Sequence, residues 1–130
     1  MTPPARVVLD ACVLVNFSLC DALLRLAEPP RLFDPIWSQE ILNETTRTLE
    51  GKLGWTQTLA KYFESELRIN FADAWVTEYE HMTLRVANDP KDRHVLAAAV
   101  HSRAPIILTF NLRHFKSVHL APWGVTALVY

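Results

Sequence analysis

At 130 residues with a formal net charge of −1, the chain has room for one domain, and it lacks the positive excess that marks a nucleic-acid partner by itself. Half of it is hydrophobic, with four Trp and six Phe. No apolar run reaches membrane-spanning length and no signal peptide opens the chain, so the expectation is one domain, 1–130, in the cytoplasm and without a membrane partner.

In chain order, Arg6 to Asp10 (RVVLD) reads as a buried parallel strand closed by an acid. Ala11 to Glu28 reads as mainly helix, stopped by Pro29-Pro30. Leu32 to Trp37 is a second strand interrupted by Pro35. Ser38 is placed to cap a helix from Gln39 to about Leu53, with Gly51 and Gly54 marking its end. Glu40 and Glu44, four residues apart, share one face of it. Trp55 to Ile69 is a further helix, Asp73 to His81 a short one, and Met82 to Val86 a short strand. Asn88 to Asn111 then gives a cap (Asp89), a proline suited to a first helical position (Pro90), Asp92 in the first turn, an apolar helix body, and the strand Ile106-Ile107-Leu108 ending at Thr109-Phe110-Asn111. Val125 to Val129 is the last strand. Strands alternating with helices predict an α/β fold with a mainly parallel sheet.

Cys12 and Cys20 fit neither a metal motif nor a disulfide framework and read as small buried hydrophobes of one helix, compatible with a reducing compartment. Three Gly cannot build a phosphate loop, no serine lies in a nucleophile elbow, and the five His make no i, i+4 zinc pair. His94, two residues past Asp92, is the histidine to watch; the others read as surface or packing residues. Arg47, Arg93, Arg113 and Lys116 are candidates to touch phosphates, or equally solvated helix ends.

In an open α/β sheet, ligands bind beyond the carboxyl ends of the strands. Asp10 and Asn111 end strands there; Asp89 and Asp92 open a helix; Glu40 and Glu44 lie early on another. Grouped carboxylates repel unless a cation sits among them, and an all-oxygen set suits Mg²⁺ or Mn²⁺, which can activate water against a phosphodiester. In a near-neutral chain such a group is not a by-product of acidity. Each residue also has an ordinary reading: Asp10, Asp89 and Asp92 as helix caps or dipole partners, Glu40 and Glu44 as a solvated face, Asn111 as a turn residue.

The segments VVLDACVL, WSQEILNETTRTL, NDPKDRHVLAAAV and IILTFNLRHF, in this order, resemble the PIN-domain nucleases, most closely the small bacterial VapC-like toxins. The resemblance implies a three-layer α/β/α sandwich with a mainly parallel sheet. It also implies an endoribonuclease that holds Mg²⁺ or Mn²⁺ on Asp10, Glu44 and Asp92, with Asp89 as an accessory acid. Glu40 is the fallback for Glu44. Thr109 and Asn111 match the T-x-N/D signature, where the family often has Asp; a neutral Asn111 weakens one metal position. Arg93 is placed near the substrate. The implied partners are RNA, an antitoxin protein and a second copy of the chain. Two other classes remain: a receiver-like phosphoacceptor domain, although Ala11 and Cys12 stand where it would want a second acid, and a catalytically silent module binding RNA or protein.

Overall fold

A computed structural model describes residues 3–129. Four strands form one all-parallel sheet: β1 (Ala5–Leu9), β2 (Phe33–Ile36), β3 (Ile106–Leu108) and β4 (Thr126–Leu128), in the order β2-β1-β3-β4. β1 is central, with Val8 beside both Ile36 and Ile107, and Val8 and Leu9 are fully buried. A strand covered on both faces needs an unbroken apolar run, and RVVL supplies it. Pro35 is tolerated because β2 lies at the sheet edge, where a missing N–H costs no ladder bond.

Helices flank this sheet as an α/β sandwich. The stretch from Ala11 is two helices rather than one, α1 (Ala11–Leu14) and α2 (Phe17–Leu26). Asn16 breaks it, because its side chain accepts from the Leu19 N–H at 3.1 Å and caps the second helix instead of continuing the first. Cys12 and Cys20 therefore sit on different helices, both as free thiols. α3 (Gln39–Gly51) starts at Ser38, whose hydroxyl accepts from Ile41 N at 3.2 Å, and it buries Ile41, Leu42 and Leu49. α4 (Gln57–Asn70) packs beside it.

Two expectations fail between α4 and the next helix. Asp73 to His81 is no helix, and Met82 to Val86 is no strand: the segment holds 3₁₀ turns at Ala72–Ala74 and Glu80–Leu84. Between them Trp75 runs extended and bridges to Trp37, with their rings edge to face at 5.4 Å. Glu78 takes a positive φ of 61°, which no helix accommodates. Tyr79 and Met82, three apart on the second turn, are buried in one cluster with Ala97 and Ala98 of α5 (Arg93–Ser102). The small residues of α5 let it lie close to both this turn and the sheet. Beyond β3, turns at Leu112–His114 and Ala121–Trp123 and the short α6 (Ser117–Leu120), none of which the hydrophobic pattern announces, lead through Gly124 (φ 69°) into β4.

Candidate active site

Asp10 follows β1 directly. Its backbone N–H still bonds to Leu108 O (3.1 Å), so the pairing of β1 with β3 sets Asp10 beside Thr109. One carboxylate oxygen accepts from Ala11 N at 2.8 Å and caps α1; the other accepts from the Thr109 hydroxyl at 2.9 Å. Thr109 Oγ1 in turn accepts from Asn111 N at 3.0 Å. Helix cap and site residue are thus not exclusive roles: the cap uses one oxygen and fixes the direction of the other.

Asp92 is buried at the start of α5 and makes no side-chain cap bond there. Asp89 caps the 3₁₀ turn Pro90–Asp92 that leads into α5, accepting from Lys91 N at 3.0 Å. Asp92 Oδ2 lies 2.6 Å from His114 Nδ1. Asn88 ties the two together from behind, donating to the carbonyls of Asp92 (3.0 Å) and His114 (3.4 Å). Arg93 donates through Nε to Asn88 O at 3.0 Å.

Glu44 projects from α3, held by the burial of Ile41 and Leu42, and its Oε1 lies 2.6 Å from His94 Nε2. Glu40, one turn earlier and half exposed, accepts from the Tyr79 hydroxyl, and its other oxygen is 4.0 Å from His94 Nδ1. Glu44, Asp92 and His94 bring one donor atom each within 4.8 Å of one another, as do Asp89, Asp92 and His114.

These groups feel each other. Burial pushes the Asp10 carboxyl above its ordinary value; the Thr109 hydrogen bond opposes this, and the charges of Asp92 and Glu44 add to it. Burial would lower His94, but its bond to Glu44 and the charges of Glu44, Glu40 and Asp10 outweigh that and raise it. A cleft of about 290 Å³ opens over the cluster, and Asp10, Glu44, Asp92, Asn111, Lys52 and Lys91 are among its lining residues.

Of the residues expected from sequence, Asp10, Glu44, Asp92 and Asn111 share this cleft. Thr109 stands behind Asp10, and Asp89 lies to one side of Asp92. Glu40 reaches the cluster only through His94, and Arg93 is spent on the Asn88 carbonyl. Arg47 donates to Asn43 O on an exposed helix face. Reasoning from sequence passed over His114, Lys52, Lys91 and Cys12. Lys91 stands in the DPKD segment itself, whereas Lys52 and His114 arrive from helix and turn ends with no local signal. Cys12 is half-buried with its sulfur 3.5 Å from Thr109 Oγ1, and burial and the Asp10 charge push its thiol up, the reverse of an activated nucleophile.

The family model for the PIN domain matches residues 6–113. The chain belongs to the PIN-domain family. A protein of Mycobacterium tuberculosis (strain ATCC 25618 / H37Rv) named "Putative ribonuclease VapC50" is 46% identical to it over 55 residues. These are 42% of this chain and 32% of that protein, so the match spans about a third of the relative's length. The match retires the receiver-like alternative. In this PIN domain the donor set fits a divalent cation: three carboxylates converge in a cleft whose wall carries Lys52 and Lys91, neither of which forms an ion pair with them among the described residues, and burial with mutual repulsion pushes the Asp10 carboxyl up unless a positive charge joins it.

Proposed function

We propose that this PIN domain is an endoribonuclease dependent on Mg²⁺ or Mn²⁺, with Asp10, Glu44 and Asp92 as its central metal-holding and catalytic acids. The observation that carries the reading is the meeting of these three side chains, from three separate elements, in one cleft at the carboxyl end of the sheet. Asp89 is an accessory acid, and Asn111 lines the same cleft as a neutral ligand or substrate contact. The name of the mycobacterial relative supports RNA as the substrate.

A bound divalent ion supplies Lewis-acid activation of water and neutralises charge on the phosphodiester. The chain's own residues do the rest. Thr109 holds Asp10, His94 holds Glu44 and His114 holds Asp92, so each carboxylate keeps a fixed direction. Lys52 and Lys91 on the cleft wall offer positive charge to the RNA backbone. Arg93, through Asn88, braces the loop that carries Asp92.

A VapC-like role adds an antitoxin protein and a homodimer as partners. Among the described residues no helix is long and apolar enough to cross a membrane. Free thiols at Cys12 and Cys20 suit a reducing compartment, and we place the protein in the cytoplasm. The test is cleavage of total RNA by the purified protein with Mg²⁺ or Mn²⁺. We expect discrete products that vanish with chelator and in Asp92→Asn, with the variant's circular dichroism unchanged. Metal binding without cleavage of any RNA would replace this reading with the silent binding module.

A further inference from the structure

The formal charge of −1 hides an uneven distribution. Asp92 is the last acid in the sequence. Residues 93–130 carry Arg93, Arg103, Arg113 and Lys116, a charge of +4, while nine cations against fourteen acids leave residues 1–92 at −5. Two of those four cations are accounted for elsewhere: Arg93 donates to Asn88 O, and Arg103 lies at the far end of α5. Arg113 and Lys116 are exposed and flank His114, which lines the acid cleft. Among the described residues neither enters an ion pair. Local positive charge of this kind, inside a near-neutral chain, is the footprint of a polyanion.

The same segment leads to a groove of about 330 Å³ lined by Arg85, Ala87, Val118, His119, Pro122 and Trp123. Its walls continue those of the cleft. Ala87 precedes Asn88, which donates to the Asp92 and His114 carbonyls, and Val118 and His119 belong to α6, which begins just beyond His114. Trp123 is half-buried and packs against both core clusters, so its ring is held in place. Arg85 is exposed, and its Cζ stands 5.8 Å from the Trp123 ring centroid, near the outer limit of a cation–π contact. No acid lines the groove. A fixed aromatic face beside a guanidinium suits one unstacked base and its phosphate, which a single strand offers and a duplex does not. The cation in the wall and the acid-free segment leading to it favour this occupant over an apolar protein face.

We propose that Trp123 and Arg85 form a base-stacking platform for single-stranded RNA, and that Arg113 and Lys116 carry the strand between the cleft and this platform. The inference deepens the ribonuclease reading above and rests on it for the cut itself: it makes unpaired RNA the preferred substrate.

The test is binding, in chelator so that no RNA is cut. An eight-nucleotide oligouridylate carrying photoreactive 5-iodouracil is cross-linked to the wild type, and mass spectrometry locates the adducts. We expect them on Trp123. By fluorescence anisotropy the same oligomer should bind more tightly than its duplex with oligoadenylate. Trp123→Leu should weaken it about tenfold, the scale of losing one stacked base, and Trp123→Phe should restore most of that loss. Arg85→Ala, an exposed change that leaves the core intact, should lower the slope of log affinity against log salt by roughly 0.7, one phosphate contact of a single strand. Adducts confined to Phe110 or to the cleft overturn the platform, as does equal binding of the duplex or an Arg85→Glu variant that leaves RNA affinity intact while dissociating a dimer. Each of these leaves the nuclease reading standing. Adducts on Trp123 from a protein that cuts no RNA with Mg²⁺ or Mn²⁺ keep the platform and remove the nuclease.

Discussion

The amino and carboxyl ends of the same parallel sheet treat charge differently. At the amino end, Arg6 donates to Ser102 O at 2.6 Å, and Arg31 lies 3.4 Å from Asp34. Asp73 and His101 line the same cavity of about 380 Å³. There Arg31 answers Asp34, and Arg6 answers a backbone carbonyl. At the carboxyl end, Asp10, Glu44 and Asp92 face each other, and the nearest rigid partners are two imidazoles and a hydroxyl. A charge distribution balanced by its own residues asks for nothing more, whereas an unbalanced one asks for a ligand. The larger cavity is therefore the less informative, and the smaller one carries the chemistry.

The sharpest way to break this contrast is to neutralise one acid. Asp10→Asn keeps an acceptor for Ala11 N but removes a buried charge repelled by Asp92 and Glu44. We expect RNA cleavage to fall about 100-fold or more, the scale of losing a preorganised charged group at a reacting centre. In chelator the same variant should unfold at a higher temperature than the wild type, since the fold no longer buries an Asp10 charge beside Asp92 and Glu44. A melting midpoint that drops in chelator would mean the cluster is already balanced and the contrast is false.

Thr109→Val comes next. The substitution keeps the shape but removes the donor to Asp10 and the acceptor for Asn111 N at a position with no exposure. Leaving those groups unpaired costs about 1–3 kcal/mol of stability. Cleavage should fall about 10–100-fold, as for other groups that orient ligands from behind. Urea denaturation and initial rates measure the two effects separately; activity at the wild-type level would show that Asp10 needs no brace.

The frame of this site was legible in the residues because its parts are local. RVVLD gave strand and acid together, SQEILNE gave a capped helix with two acids on one face, and DPKD followed by an apolar helix gave the buried Asp92. What the pattern did not carry was long-range choice. That the Asp92 carboxylate meets His114, 22 residues away, while Asp89 caps the 3₁₀ turn before α5 is not written in the local pattern. That Tyr79 and Met82 form a 3₁₀ turn depends on the small Ala97 and Ala98 beneath them, a tertiary preference that overrides a short β-like run. The break at Asn16, like Lys91 in DPKD, had a local signal, an Asn able to cap in the middle of an apolar stretch.

Arg31→Ala probes the balanced end. The pair with Asp34 is about one-third exposed on each side, and such ion pairs contribute roughly 0–1 kcal/mol. We expect a stability change within that range and cleavage indistinguishable from the wild type. A tenfold loss of activity would move part of the functional surface to the amino end and dissolve the distinction between the two.

The two thiols extend the comparison to the smallest effect at neutral pH. Cys12 lies at the acid cluster, while Cys20 is buried in α2 against the core, where burial, helped by the Asp21 charge, pushes its thiol up to about 12. The unfolded chain releases this proton near the ordinary value of 9.0, and the folded chain keeps it. Between those two values the native state binds more protons than the unfolded one, so stability falls as pH rises. Below the ordinary value the effect is absent; above it the loss approaches about 1.4 kcal/mol per pH unit. Urea midpoints at pH 7, 9 and 10.5 for wild type and Cys20→Ala check this, because Cys12 and the tyrosines are common to both. The wild type should lose stability more steeply than the variant above pH 9, and parallel curves would show that Cys20 titrates as if exposed.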